Sequence, residues 1–466
     1  MLFVSYKNYF KGKKITVHGL GLLGRGLGDV IFLANCGANL IVTDLKTKEQ
    51  LEPSLKTIRK KVGEANYKKI NFVLGEHRLE DFSNRDFVLQ SAGIPLNSIH
   101  IAEAKKNKIP IKMDASWFAE LALSEVEGLK IIGLTGTRGK STTTHLIYEI
   151  IKGSGKRVFL GGNVRGIATL PFLAKVRKND IVVMELDSWQ LQGFGDSQIS
   201  PDFSVFTNLM VDHQNYYSSV ATAKKVSPMD LYFADKANIY RWQNEGDYLV
   251  AGQEIAKRIK TEKIKGQLIV PDSRIVPKNW KIKLLGEHNR WNIIYAVAMA
   301  RLLEIPEKII KKTVENFSGI PGRLELVREI NGVKFYNDTT ATTPDGVVAA
   351  IKALEKYKGK ILLLGGGADK NLDYATYAKV VRQNVKALAL FRGAATDKIL
   401  AKFPRSVLGK DWVKVFDNMK EAFAWAKSQA KRGDVVLLSP GAASFGIFKN
   451  EYDRGDQFNK CVKGLK

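Results

Sequence analysis

Cysteine is nearly missing from this chain: two residues in 466, Cys36 and Cys461. That excludes a disulfide-stapled scaffold and matches the usage of a reducing cytosol. No apolar run approaches the ~20 residues that cross a bilayer, so no membrane insertion is expected. The N-terminal stretch MLFVSYKNYFKGKK lacks the long apolar core and small-residue cleavage site of a secretory signal, and a cytoplasmic location is the expectation. Short repeats, low-complexity tracts and long linkers are also missing. What is present is ordinary for a packed protein. Hydrophobic residues make up 45% and charged residues 26%, which excludes wholesale disorder. At roughly 150 residues per domain the length suggests about three domains.

The net charge of +26 invites a nucleic-acid reading, so its placement matters. It is +6 over residues 1–125, +9 over 126–320 and +11 over 321–466. A nucleic-acid domain concentrates its excess in a patch or arm. An even spread predicts a basic solvated surface and no nucleic-acid partner.

Three stretches open with an apolar run and pass into a glycine-rich turn: KKITVHGLGLLGRG (Lys13–Gly26), LKIIGLTGTRGKSTTTHLIYEII (Leu129–Ile151) and GKILLLGGGADKN (Gly359–Asn371). A companion strand, VVLLSPGAAS (Val435–Ser444), accompanies the third. Continuous apolar runs suit parallel strands buried on both faces, and helical patterns lie between them. The prediction is a set of doubly wound α/β sheets. LSEVEGLK (Leu123–Lys130) and FSGIPGR (Phe317–Arg323) are breaks, placing edges so that the spans are 1–125, 126–319 and 320–466.

The sharpest chemical signal is Thr135-Gly136-Thr137-Arg138-Gly139-Lys140-Ser141, followed by Thr142, between a strand and a helix. Glycines let backbone N–H groups turn around phosphate oxygens, and the helix N-terminus adds partial positive charge. Lys140 is placed to neutralise phosphates and the Ser141 hydroxyl to hold Mg²⁺. The strict pattern wants glycine at 134, where this chain has Leu. A second strand ends at Glu185, and a third segment ends in Asp212-His213. In the first span Gly19-x-Gly21-x-x-Gly24 follows a strand, with Asp44 twenty residues beyond. Alone this is a dinucleotide fingerprint, with the acid on a ribose hydroxyl, and an NAD-dependent oxidoreductase is a real alternative.

The TGT-x-GK-[ST]-T loop resembles the form of the P-loop used by Mur ligases, the family that builds the peptide stem of cell-wall precursors. The resemblance covers essentially the whole chain: GGNVRG (Gly161–Gly166), ELDSWQL (Glu185–Leu191), TNLMVDHQNYY (Thr207–Tyr217), GEHNRWN (Gly286–Asn292), IPGRLE (Ile320–Glu325), YNDTTATTPDG (Tyr336–Gly346) and SPGAASFGIFKNEYDRGDQF (Ser439–Phe458) follow in family order. It implies an α/β protein of three domains: a Rossmann-like N-terminal domain (1–125) for a UDP-sugar, a P-loop ATPase-like central domain (126–319) for ATP, and a Rossmann-like C-terminal domain (320–466) for the amino acid. Within the family the likeness is to members that join glutamate to UDP-N-acetylmuramoyl-L-alanine through an acyl phosphate. D-glutamate is expected, with L-glutamate as the alternative. The protein is expected to act as a monomer.

Residue roles follow from the same resemblance. Lys140 cradles phosphates, with Thr135 to Thr142 forming the loop. Asn163 approaches the reacting carboxylate or phosphate. Ser141 and Glu185 serve one Mg²⁺, and His213 a second, together with a carbamylated lysine. That lysine is Lys236, although AKKVSP (Ala223–Pro228) lengthens its spacing from His213. Asn289 and Asn292 match nucleotide-side positions, and Arg323 and Asp338 match groups that close over ATP. Gly21, Leu22, Leu23, Asp44, Ser91 and Gly93 match UDP-sugar positions; Leu23 stands where a small hydroxyl residue is common. Thr342, Lys370, Ser444 and Phe445 match glutamate positions. Three departures fall near the reaction centre: Asp187 for a commoner serine, Thr340 for a commoner lysine, and Glu451 where an aromatic residue is frequent.

Overall fold

In the computed structural model, which describes residues 5–22, 24–95, 97–260, 262–406, 408 and 412–465, the apolar runs become buried strands. The first sheet joins β1 (Lys14–His18), β2 (Asn39–Asp44), β3 (Asn71–Leu74), β4 (Phe87–Gln90) and β5 (Ile111–Lys112) in the order β3-β2-β1-β4-β5. All its pairings are parallel. The second joins β6 (Lys130–Thr135), β7 (Val158–Gly162), β8 (Ile181–Glu185), β9 (Phe203–Phe206), β10 (Tyr248–Ala251) and β11 (Gln267–Ile269) in the order β11-β10-β9-β6-β8-β7, again all parallel. The strand order reverses beside β1 in one sheet and beside β6 in the other. Such points open a crevice at the strands' carboxyl ends, and both glycine-rich loops sit there.

The third sheet holds β12 (Glu325–Ile330), β13 (Val333–Asn337), β14 (Ile361–Gly366), β15 (Val385–Phe391), β16 (Val413–Phe416) and β17 (Val435–Leu438), ordered β12-β13-β17-β14-β15-β16. Only β12 runs antiparallel, against β13. Its sequence ELVREI has no fully buried position, as suits an edge strand, whereas ILLLGG of β14 and VVLL of β17 are buried throughout. Among the described residues no helix is long and apolar enough to cross a membrane.

The chain divides into two compact units, Met1–Trp280 with Asn292–Val314, and Lys281–Trp291 with Glu315–Lys466. The first unit carries two sheets because one hydrophobic core runs through both. The helix Asp114–Glu125 links them, with Asp114 to Ala119 forming a continuous buried run and Ala122 buried beyond it. Trp117 meets Phe10 and Phe87 of the first sheet's layer at 5.0 Å between ring centroids, while Phe118 meets Phe172 of the second at 6.0 Å. The two layers also touch through glycine. A Cβ on Gly28 would stand 2.5 Å from the Ala168 Cβ, and one on Gly24 would stand 3.1 Å from the Gly166 Cα. Gly28→Val forces atoms into that contact, and overpacking of this kind costs about 1–3 kcal/mol. The expected outcome is a melting temperature several degrees lower; an unchanged thermal unfolding curve would show that the contact yields freely.

Candidate active site

The loop after β6 takes its shape from two glycines. Gly136 has φ 142°, and a Cβ there would lie 2.0 Å from the Thr207 Oγ1. Gly139 has φ 84°, a left-handed conformation, and a Cβ there would lie 2.1 Å from the Asn292 Oδ1. Asn292, expected on the nucleotide side, is therefore packed directly on the loop. Gly139 also caps the helix Lys140–Gly153 without any side-chain hydrogen bond, as a phosphate-binding terminus does. Leu134 explains the departure from the strict pattern. It is a fully buried residue of β6, in register with Glu185, so the loop proper starts one residue later.

The segment Thr207–Asp212 buttresses this loop. The Thr137 and Arg138 amides donate to the carbonyl and side-chain oxygens of Asn208, each at 2.9 Å. Thr207 Oγ1 donates to the Arg138 carbonyl at 2.7 Å, and the Arg138 guanidinium pairs with Asp212 at 2.8 Å. Lys140 Nζ donates to the carbonyls of Gly136 (2.9 Å) and Thr137 (3.2 Å). Ser141 and Thr142 are buried behind it.

Lys236 lies beside the same carbonyl. It is 1% exposed, and its Nζ donates to Thr135 Oγ1 at 3.2 Å and to the Gly136 carbonyl at 3.1 Å. The amine also sits 4.8 Å over the Tyr232 ring. Burial holds its pKa well below the ordinary lysine range, and the Lys140 charge adds to that; Asp187, Asp212 and Asp235 oppose it. Such a shift favours the neutral, nucleophilic amine over the ammonium ion. Despite the lengthened spacing in sequence, the helix Pro228–Ala237 delivers Lys236 to the loop.

His213 begins the helix Gln214–Lys224 with φ 53°. Its ring packs on Trp189 at 4.4 Å and on Tyr232 at 6.0 Å, and its Nε2 is 4.0 Å from the Asp212 carboxylate. Burial lowers its pKa, which favours the neutral imidazole a metal needs. Glu185 is buried at the end of β8. Its carbonyl accepts the Asn163 N–H at 2.6 Å, so the Asn163 loop and Glu185 are neighbours. Asp187 caps the helix Ser188–Asp196, accepting the Gln190 N–H at 2.8 Å. Among the described residues no three His, Cys, Asp or Glu side chains form a ready cation cage. The donors at hand are a hydroxyl, a carboxylate, an imidazole and an amine that a carbamate would convert to an oxygen ligand. That hard, sparse set fits Mg²⁺, which draws on phosphates to complete its shell.

At the first sheet, Gly19, Gly21 and Gly24 all have positive φ, and Gly24 caps the helix Arg25–Asn35. Asp44 is buried, and its oxygens accept the Gly21 N–H at 2.8 Å and the Lys46 N–H at 2.9 Å. It thereby ties the end of β2 to the glycine loop. Ser91 Oγ donates to the Gly19 carbonyl, bringing the second expected loop against the first. Leu22 is exposed, the surroundings of Gly93 are open, and Leu23 lies outside the described residues.

In the second unit Lys370 Nζ donates to Thr342 Oγ1 at 3.0 Å. An Ala368↔Ala443 bridge joins the loop after β14 to the loop after β17, which carries buried Ser444 and exposed Phe445. Four expected amino-acid-side residues thus fall on loops at the carboxyl ends of β13, β14 and β17. Thr340 donates to the Gly322 carbonyl at 2.9 Å, and the Glu451 carbonyl accepts Thr339 Oγ1 at 2.7 Å. Asn289 Nδ2 donates to the Leu285 carbonyl at 2.8 Å.

Asp338 is buried, accepting the Leu324 N–H at 3.0 Å and the Ser439 hydroxyl at 2.8 Å. Burial pushes its pKa up to about 7, against the pull of those donors and of Arg323. An acid raised in the folded state favours folding while protonated, and that advantage is lost as pH climbs from the unfolded value near 4 through 7. Thermal stability of the second unit is expected to decline between pH 5 and 8, and Asp338→Asn to flatten that decline. Melting curves across this range check it; an equal slope in both proteins would contradict the assignment.

Sequence reasoning missed two residues. Asn208, which fixes two loop amides, was visible only as part of a motif. Arg454 likewise stands inside the Ser439–Phe458 motif with no role assigned to it, and it is fully buried.

Comparison with known proteins agrees with this layout. Residues 134–270 match the model of the Mur ligase middle domain, and residues 322–441 that of the Mur ligase glutamate ligase domain. The UDP-N-acetylmuramoylalanine–D-glutamate ligase of Borreliella afzelii is 33% identical, with 98% of each chain covered. Among solved structures, UDP-N-acetylmuramate–alanine ligase from Thermotoga maritima superposes with a TM-score of 0.60 at 19% identity, over 97% of this chain and 100% of that one. MurF ligase from the same organism, in complex with ADP, gives 0.58 at 15% identity, over 98% and 96%. With the domain matches and the end-to-end likeness in agreement, the chain belongs to the Mur ligase family.

Proposed function

We propose that this protein joins D-glutamate to UDP-N-acetylmuramoyl-L-alanine at the expense of ATP, in peptidoglycan precursor synthesis. The carrying observation is the likeness to curated relatives of that name along 98% of the chain. In this reading residues 1–125 hold the UDP-sugar, 126–319 hold ATP and 320–466 the amino acid, and the protein works as a monomer in the cytoplasm.

A carboxylate does not condense with an amine in water, because oxide is too poor a leaving group. The carboxylate of the sugar-linked alanine first displaces ADP from the γ-phosphorus; the glutamate amine then attacks the acyl carbon and phosphate departs. Lys140 and the amides at the start of its helix bind the transferring phosphoryl group, whose charge spreads over its oxygens. Asn163, held against Glu185, orients the reacting carboxylate. Bound Mg²⁺ supplies Lewis-acid stabilisation of that charge, with Ser141 and Glu185 at one position and His213 and Lys236 at the other. Lys236 serves after its neutral amine has captured CO₂, releasing a proton and becoming an anionic carbamate. Lys370 with Thr342, beside Ser444, receives the glutamate carboxylates.

The rival oxidoreductase reading accounts for Gly19–Gly24 but leaves the phosphate loop Gly136–Ser141 without a use. The Asp44 oxygens accept the Gly21 and Lys46 N–H groups and keep acceptor capacity for a ribose hydroxyl, which suits a UDP-sugar as well as a dinucleotide. Incubation with ATP, Mg²⁺, UDP-N-acetylmuramoyl-L-alanine and each glutamate enantiomer separates the alternatives. Phosphate release that needs both the nucleotide sugar and D-glutamate supports the proposal. Dependence on L-glutamate would assign the other enantiomer, and NAD reduction without ATP would overturn the ligase reading.

A further inference from the structure

We propose that the buried guanidinium of Arg454 is a positioning residue that gives the amino-acid site its preference for a side-chain carboxylate. The inference deepens the glutamate reading and rests on it.

Arg454 lies in the first turn of the helix Glu451–Lys463 with 0% of its surface exposed. Its Nε donates to Thr339 Oγ1 at 3.2 Å, its Nη2 to the Thr339 carbonyl at 2.8 Å and its Nη1 to the Ala442 carbonyl at 3.3 Å. All three acceptors are neutral oxygens. Thr339 stands three residues before Thr342, and Ala442 two before Ser444. One side chain therefore clamps together the two loops that carry the proposed glutamate contacts. The helix is seated closely on the same place: a Cβ on Gly455 would lie 2.6 Å from the Thr339 Cγ2.

A fully buried cation that meets only neutral oxygens is costly, because its hydration is lost without a bonded carboxylate in return. Burial brings its pKa down to about 10, with Glu451 the one charged group opposing, so it stays ionised near neutrality. A position near a helix N-terminus makes the cation less favourable still. An apolar side chain of similar length could fill the volume without this cost. The charge acquires a use if an anion binds above the clamp. In a low-dielectric interior a fixed positive charge reaches beyond its hydrogen-bonded neighbours. It would act through the Thr339 and Ala442 loops on a dianionic amino acid, and far less on its neutral amide analogue.

The test compares kcat/KM for D-glutamate and D-glutamine in the wild type, R454M and R454K. R454M is expected to lower the glutamate-to-glutamine ratio at least about tenfold, mainly by raising KM for glutamate. R454K is expected to keep the ratio within about threefold at pH 7 and to lose it by pH 9.5, where the wild type retains it, because burial lowers a lysine's pKa. A purely structural role would weaken both substrates equally; an unchanged ratio in R454M, or a pH-independent ratio in R454K, overturns the proposal. Should R454M fail to fold, the R454K pH profile alone decides. Wild-type protein that ligates neither glutamate enantiomer would instead sink the glutamate reading itself.

Discussion

Lys236→Ala is expected to abolish nearly all ligation, by about a thousandfold, the scale seen when one preorganised charge-stabilising group is removed from a reaction centre. The amine donates to the same Gly136 carbonyl as Lys140, at the loop where the proposed function puts the transferring phosphoryl group. Formate or acetate is expected to restore part of the activity, since either can offer a carboxylate in the space vacated by the side chain. In ¹³CO₂-equilibrated protein the wild type should show a carbamate carbon resonance that the variant lacks. Undiminished turnover in Lys236→Ala would refute the assignment outright. A resonance absent from the wild type would leave an unmodified lysine as the reacting form.

Lys140→Met should be comparably damaging, for two coupled reasons. Methionine preserves length while removing the charge that neutralises the phosphates, again on the order of a thousandfold in kcat. It also acts on Lys236, because after burial the Lys140 charge is the largest influence lowering that amine's pKa. Losing it lets Lys236 hold its proton to higher pH, so less of the amine is free to capture CO₂ near neutrality. The carbamate resonance is therefore expected to weaken at pH 7 and recover as pH rises, while activity stays low throughout. A resonance unaffected by the substitution would show that the two lysines are electrically independent.

The glycine-rich loops show which features a linear reading reaches and where it stops. Gly136, Gly139, Lys140 and Ser141 are legible because phosphate cradles need fixed residue types at fixed spacing. Their partners are not local. Asn292 reaches Gly139 from more than 150 positions away, and Asn208 from about 70. Asp44 was legible as an acid at a strand end, but spacing alone could not say whether it faced a ligand or the backbone amide of Gly21. Asp187, where serine is commoner in the family, caps the helix by accepting the Gln190 N–H, a role that serine side chains can also fill.

Residue order by itself determined the parallel α/β class, the phosphate loop and the family, because continuous apolar runs and short glycine motifs are local properties of a chain. Tertiary structure decided the rest. It fused the first two sheets through the helix Asp114–Glu125, brought Lys236 against Lys140 across an unusual spacing, and buried Arg454 beneath the Thr339 and Ala442 loops. Those outcomes turn on burial and on the charges a side chain meets from distant segments. Burial, aided by the Lys140 charge, favours the neutral amine of a surface-like lysine, and it leaves an ordinary arginine an interior cation with no carboxylate bonded to it.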